Sequence, residues 1–151
     1  MKYIESPNTY RPQAGETSIF LAGGITGAPN WQREIVELLK QTSLIVFNPR
    51  RKNFPIKDPG AAEEQIRWEH EHLRLATIIA FWFPRETICP IGLYELGAWS
   101  MMDKPMYIGI HPEYPRRIDV EVQTKLTRPE VEIVYSILEL AKQIIESHAK
   151  T

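Results

Sequence analysis

Short apolar segments alternate with longer amphipathic ones along the chain, and this alternation predicts strands and helices in turn. Apolar runs with the length and composition of buried strands occur at residues 18–22, 44–47, 77–83, 105–110 and 131–134. Segments with helical spacing of apolar residues occur at 30–40, 61–76, 87–102, 117–126 and 135–148. Residues 1–16 show neither pattern, so they are predicted to form an irregular leader.

This order of elements predicts the fold class. Strands that alternate with helices pack as a parallel sheet with helices on both faces. Right-handed crossovers then favour a flavodoxin-like, doubly wound α/β fold with five parallel strands in three layers. Ligands of such sheets bind beyond the carboxyl ends of the strands, so the loops at 23–27, 48–60, 84–90 and 111–116 are expected to surround one crevice. Residues 1–151 are expected to form a single domain.

Two of the predicted helices have apolar residues that are expected to face the core. In the second helix and the last helix these residues are Ile66, Leu73, Ala76, Ile137, Leu138, Ala141, Ile144 and Ile145.

Glu95 is the only charged residue between Thr87 and Met102. In a helix it shares a face with Ile91 and Trp99, and that face is otherwise suited to an apolar core. Because burying a carboxylate is costly, two interpretations remain: Glu95 reaches water from the helix edge, or it lines a cleft and takes part in chemistry. A position near the helix start is expected to favour the ionised form.

Gly23 and Gly24 begin a glycine-rich loop between a predicted strand and a predicted helix. Such loops can hold a phosphate, but this one matches neither the dinucleotide fingerprint nor the P-loop. The favoured interpretation is a tight turn at which a small ligand approaches the backbone. Trp82, near the end of the third predicted strand, is either a core residue or a platform for a ligand ring.

The segment from Glu69 to His72 contains two histidines and two glutamates, which raises the question of a metal site. His70 and His72 point to opposite sides of a helix, so a solvated charged face is favoured and no metal is expected. Cys89 stands before Pro90 at a helix start, where a thiol can be activated. Its apolar neighbours favour packing over nucleophilic chemistry.

Composition excludes several classes of partner. The chain is 43% hydrophobic and 25% charged, with a formal net charge of −1, so neither a nucleic-acid polymer nor an anionic membrane is an expected partner. No apolar segment has the length of a bilayer span, and the first residues lack a secretory signal. Cys89 is the single cysteine, which together with these features predicts a reducing, cytoplasmic location.

Several of these motifs together resemble the nucleoside 2-deoxyribosyltransferase family, over about residues 18–126. The resemblance rests on the strand and glycines at 19–24 and on Trp68-Glu69 before an apolar strand. It rests further on 94–97, Tyr-Glu-Leu-Gly, followed by the Lys-Pro pair at 104–105. The resemblance implies a flavodoxin-like fold and transfer of deoxyribose between nucleobases. No metal or organic cofactor is implied.

The resemblance also assigns roles to residues. Glu95 would be the nucleophile that forms a covalent deoxyribosyl intermediate with overall retention, and Glu69 would help to position the substrate. Asp119, with Gln123 nearby, would enter the site from a neighbouring subunit, which implies a homo-oligomer with shared active sites. The substrates would be 2′-deoxynucleosides and free nucleobases.

Two positions depart from the family pattern. Phe20 stands where many members have a tyrosine that orients the nucleophile, and Cys89 stands where many have an aspartate that contacts the base. The proton donor to the leaving base is therefore unassigned, with Tyr94 and Glu69 as candidates. Two alternatives follow: an N-glycosidase of deoxynucleoside 5′-monophosphates, with Arg116 and Arg117 near the phosphate, or a non-catalytic nucleoside-binding module.

Overall fold

The computed structural model describes residues 1–149 and contains, within them, six strands and five helices. The strands are β1 (Lys2–Glu5), β2 (Ser18–Gly23), β3 (Ile45–Asn48), β4 (Ile78–Phe83), β5 (Met106–Ile110) and β6 (Ile133–Val134). The helices are α1 (Trp31–Leu39), α2 (Ala61–Leu75), α3 (Pro90–Ser100), α4 (Arg117–Thr127) and α5 (Ile137–His148). The predicted domain of residues 1–151 includes two residues, 150 and 151, that lie outside this description.

The strands form one parallel sheet in the order β1-β3-β2-β4-β5-β6. Without β1, this is the strand order of a flavodoxin-like sheet, so the predicted α/β class is confirmed. The predicted number of strands is wrong, because residues 2–5 of the expected irregular leader pair with β3 from Lys2–Ile45 to Glu5–Asn48. This edge strand is only half-buried, so it lacks the apolar run by which buried strands are recognised.

Side chains alternate between the two faces of the sheet, and each face has its own core. Phe20, Phe81 and Ile108 point towards the layer that contains α2, α3 and α4. Leu21 and Trp82 point towards the layer that contains α1 and α5. The result is the predicted three-layer arrangement, with helices on both faces of the sheet.

Three apolar residues that were expected to face the core are exposed instead: Ile66, Leu138 and Ile145. Ile66 lies two positions before the buried Trp68, and Leu138 lies two positions before the buried Leu140. Residues two apart point to nearly opposite sides of a helix, so burying one of them exposes the other. Of the remaining predictions, Leu73, Ala76, Ala141 and Ile144 are confirmed as buried, and Ile137 is partly buried.

Lys104 ties the end of α2 to the start of β5. Its Nζ donates hydrogen bonds to the carbonyl oxygens of Leu73 (2.6 Å), Arg74 (3.0 Å) and Ala76 (2.6 Å). It also lies 4.5 Å from the ring centroid of Trp99 on α3. The last carbonyl groups of a helix have no partner within the helix and carry partial negative charge. The Lys104 ammonium group therefore stabilises the end of α2.

Replacing Lys104 with methionine is expected to lower the free energy of unfolding by about 2 kcal/mol, since hydrogen bonds from a charged donor are lost. Urea denaturation of the variant measures this change. Lys57→Met, at an exposed loop position, is the matched control and should leave the midpoint unchanged. Equal midpoints for the two variants would contradict the anchoring role of Lys104.

Candidate active site

Helix α3 brings Glu95 to the place where the strand order of the sheet reverses. The helix follows β4, and it packs against β2, the other strand at this reversal. Gly92 makes the approach possible, because a Cβ atom there would lie 3.1 Å from the Cα of Gly23. Glu95 therefore lies close to the carboxyl ends of the central strands, where ligands of doubly wound sheets bind.

Glu95 is electrostatically coupled to Glu69 on α2. Burial, followed by the negative charge of Glu69, raises the pKa of Glu95 to about 8. Burial also raises the pKa of Glu69, but a hydrogen bond from Gln65 and the positive charge of Arg51 oppose that shift. The structure thus brings together the two acidic residues that were predicted as catalytic.

The start of α3 does not keep Glu95 ionised in this chain, contrary to the expectation from the sequence. Glu95 is the sixth residue of α3, and the favourable field at a helix start falls off within the first turn. Desolvation therefore dominates, and the raised pKa keeps Glu95 largely protonated at neutral pH. Glu95 is half-buried, which favours the cleft interpretation over a side chain that extends fully into water.

Gly23 and Gly24 allow the loop after β2 to pack tightly against its own chain. Gly23 has a φ of +125°, and a Cβ atom there would lie 2.1 Å from the carbonyl oxygen of Trp82. The carbonyl oxygen of Gly24 accepts hydrogen bonds from Trp31 Nε1 (2.7 Å) and Gln32 Nε2 (3.1 Å). The glycines thus let the loop after β2 approach other parts of the same chain, whereas the sequence predicted the approach of a ligand. These contacts fix the loop beside α3.

Trp82 does not reach the site, so its predicted stacking on a ligand ring is corrected. It is 5% exposed and belongs to the core beneath α1 and α5, on the face of the sheet opposite α3. A Cβ atom at Gly109 would lie 2.6 Å from its ring. Strand alternation explains the difference, since Phe81 and Phe83 take the other face.

Two further predicted contacts are buried in the core beneath the site. Phe20 is 1% exposed, and its ring centroid lies 6.0 Å from that of Trp68, so it supports the site without an accessible surface. Cys89 is buried just before α3 at a φ of +53°, with its Sγ 3.5 Å from the carbonyl oxygen of Thr87. Burial raises the pKa of the Cys89 thiol to about 11, which supports the packing interpretation.

Three predicted contacts lie on the surface of this chain. Tyr94 is 78% exposed on α3, and Gln123 is exposed on α4. Asp119, also on α4, is exposed and forms an ion pair with Arg116 (3.1 Å). Entry of Asp119 and Gln123 into a neighbour's site stays a prediction.

The histidines of α2 point in different directions, as expected from their spacing. His70 is exposed, whereas His72 is fully buried and stacks on Trp68 with ring centroids 4.0 Å apart. Among residues 1–149, no group of three or more His, Cys, Asp or Glu side chains is arranged to hold a metal ion.

Sequence reasoning missed the polar residues that surround Glu69. Gln65 donates a hydrogen bond from Nε2 to Glu69 Oε1 (2.7 Å), Ser6 Oγ donates to Gln65, and Arg51 donates to Ser6. The spacing of four residues between Gln65 and Glu69 could have indicated a shared helix face. The contributions of Ser6 and Arg51 depend on the unexpected strand β1 and on the loop after β3.

The fold and the site together define a flavodoxin-like α/β protein with a coupled pair of carboxyl groups at the sheet reversal. Residues 16–114 match the family model described as nucleoside 2-deoxyribosyltransferase like. The chain belongs to this family, which confirms the resemblance seen in the sequence motifs.

Comparison of structures supports the fold. A crystal structure of a conserved protein from Enterococcus faecalis is 15% identical to the chain, with a TM-score of 0.62. The match covers 88% of this chain and 99% of that protein. No curated protein matches the chain. Within residues 1–149, every helix is too short or too polar to cross a membrane.

The raised pKa of Glu95 predicts a pH-dependent cost to stability. An acid whose pKa is higher in the folded state destabilises the fold as pH rises from its unfolded value, near 4.5, to about 8. Glu95→Gln removes this cost, so the variant should be more stable than the unmodified chain at pH 8, by at most about 4 kcal/mol and by less to the extent that water screens the half-buried side chain. The difference should shrink towards pH 5.

Denaturant unfolding between pH 5 and pH 9 measures this dependence. Glu34→Gln, on the exposed side of α1, is the matched control and should follow the unmodified chain. If Glu95→Gln showed the same pH profile as that control, Glu95 would not be held in a desolvated site.

Proposed function

We propose that this protein exchanges the nucleobase of 2′-deoxynucleosides, with Glu95 as the nucleophile. The observation that carries the proposal is the coupled pair of Glu95 and Glu69 beside the carboxyl ends of the central strands. Membership of the nucleoside 2-deoxyribosyltransferase-like family supports the same substrate class. A pair of carboxyl groups with different environments is also the usual equipment of glycoside chemistry.

The proposed reaction has two steps that balance. In the first, a carboxylate oxygen of Glu95 attacks C1′ of the sugar, and the bond from C1′ to the base breaks. The electron pair of that bond goes to the base nitrogen, which takes up a proton. In the second, a nitrogen of another base attacks C1′, Glu95 leaves as a carboxylate, and the new base loses its proton.

The protonation of the pair suits the first step. Because the pKa of Glu95 is raised, its carboxyl group carries a proton that must leave before Glu95 can attack. The departing base requires one proton, so the net proton demand of the first step can be met within the site. The pair titrates as a coupled unit, and Glu69, half-buried in the middle of α2, is the second member of that unit.

We further propose that a second copy of the chain completes the site, as the family resemblance implies. Glu95 and Glu69 lie on the same side of the sheet as α4, which carries Asp119 and Gln123. Large apolar side chains are exposed on α3 and α4: Ile91, Tyr94, Met101 and Met102 on or next to α3, and Ile118, Val122 and Leu126 on α4. Covering such a surface with a second copy would remove apolar area from water.

The two arginines that the sequence connected with a 5′-phosphate already have partners, and this favours the nucleoside over the nucleotide as substrate. Arg116 pairs with Asp119 (3.1 Å), and Arg117 lies 3.4 Å from Glu121 and donates to the carbonyl oxygen of Pro112 (2.9 Å). Both guanidinium groups that the sequence connected with a phosphate therefore already have partners.

The test is base exchange measured by chromatography, with a deoxynucleoside as donor and a different free base as acceptor. Glu95→Gln should reduce exchange by at least about 10³-fold, because the nucleophile of both steps is lost. Glu34→Gln should retain exchange. Mass spectrometry of the unmodified chain incubated with donor alone should detect a deoxyribosyl adduct on Glu95.

The same assay separates the alternatives. Base release from a deoxynucleoside 5′-monophosphate without transfer would replace the proposal with the hydrolase. Saturable nucleoside binding with neither adduct nor turnover would replace it with a binding module. Full exchange activity in Glu95→Gln would reject Glu95 as the nucleophile.

A further inference from the structure

A chain of hydrogen bonds connects the N-terminal segment to Glu69. Arg51 Nε donates to Ser6 Oγ (3.1 Å), and Ser6 Oγ donates to Gln65 Oε1 (2.8 Å). Gln65 Nε2 then donates both to the carbonyl oxygen of Pro49 (2.7 Å) and to Glu69 Oε1 (2.7 Å). Ser6 is buried, and the Arg51 side chain is 5% exposed, with a salt bridge to Glu64 (2.7 Å).

The chemistry of these groups fixes the direction of the chain. A guanidinium group can only donate, so Ser6 Oγ accepts from Arg51 and uses its own hydrogen for Gln65 Oε1. A backbone carbonyl can only accept, so the amide nitrogen of Gln65 must face Pro49. Both ends therefore orient the Gln65 amide in the same way, and its second N–H is directed at Glu69.

We propose that Gln65 is a positioning residue that orients the Glu69 carboxyl group beside Glu95 and favours its ionised form. An amide donor favours the charged acceptor over the neutral one, and Arg51 adds positive charge on the same side. Gln65 thereby favours the ionised form of Glu69, whereas burial favours the protonated form of Glu95. The N-terminal segment takes part through Ser6.

This inference rests on the proposed function for its catalytic meaning, but its first test needs no turnover. In a Glu95→Gln background, Glu69 is the one remaining carboxyl group of the pair, and the charged residue that acts on it is Arg51. The ¹³C signal of the Glu69 carboxyl group is followed by NMR against pH. Adding Gln65→Leu should raise the titration midpoint by about one pH unit, since one hydrogen bond to the charged form is lost.

Two further variants make this test specific. Ser6→Ala leaves Gln65 and Glu69 in place but removes the bond that orients the amide, so the midpoint should rise by less. Arg67→Leu, on the solvent side of α2 and paired with Glu63 (2.7 Å), should leave the midpoint unchanged. An unchanged midpoint in Gln65→Leu would overturn the inference. If Gln65→Leu does not fold, an unchanged midpoint in Ser6→Ala would overturn it instead.

The second test uses the otherwise unmodified chain and base exchange. Gln65→Leu should move the acid limb of the kcat/KM profile to higher pH by about one unit, whereas a purely structural role would lower the rate without moving the limb. A shifted NMR midpoint in a protein without exchange activity would support the role of Gln65 and reject the proposed function. Exchange activity with an unmoved midpoint would do the reverse.

Discussion

The burial of Glu95 close to Glu69 is the constraint on which the candidate site depends. Two carboxyl groups that are partly removed from water cannot both ionise cheaply, so the helices that carry them must be held together by other contacts. Lys104 fastens the end of α2, and the approach of Gly92 to Gly23 fastens α3. Burial, with a smaller contribution from the charge of Glu69, raises the pKa of Glu95, so this carboxyl group favours its protonated form.

The fold could be predicted largely from apolar runs, because the buried strands of a parallel sheet are covered on both faces. Residues 18–22 and 77–83, for example, correspond closely to β2 and β4. Strand β1 could not be found in this way. Its backbone pairs with β3, but its side chains are only partly covered, so its hydrogen bonds leave no apolar pattern in the sequence.

The sequence of α3 does not indicate which of its faces is buried, since it is apolar on almost every side. The residues that face the sheet are Gly92 and Leu96, whereas Ile91 and Tyr94 are 62% and 78% exposed. A helix that is apolar all round carries no stripe from which its buried face can be deduced. The glycine marks the inner face because the helix must approach β2 closely there, a requirement that appears only once the sheet is assembled.

The residues that identify the family motif therefore differ in what they do. In the proposed reaction Glu95 and Glu69 supply the chemical groups, whereas Gly23 and Lys104 contribute through the positions they give to α3 and α2. The glycine, the glutamates and the lysine occur in one order because the sheet brings their helices side by side. The positions of the two carboxyl groups, on which their coupled titration depends, thus rely on the glycines and the lysine as well as on Gln65, which hydrogen-bonds Glu69.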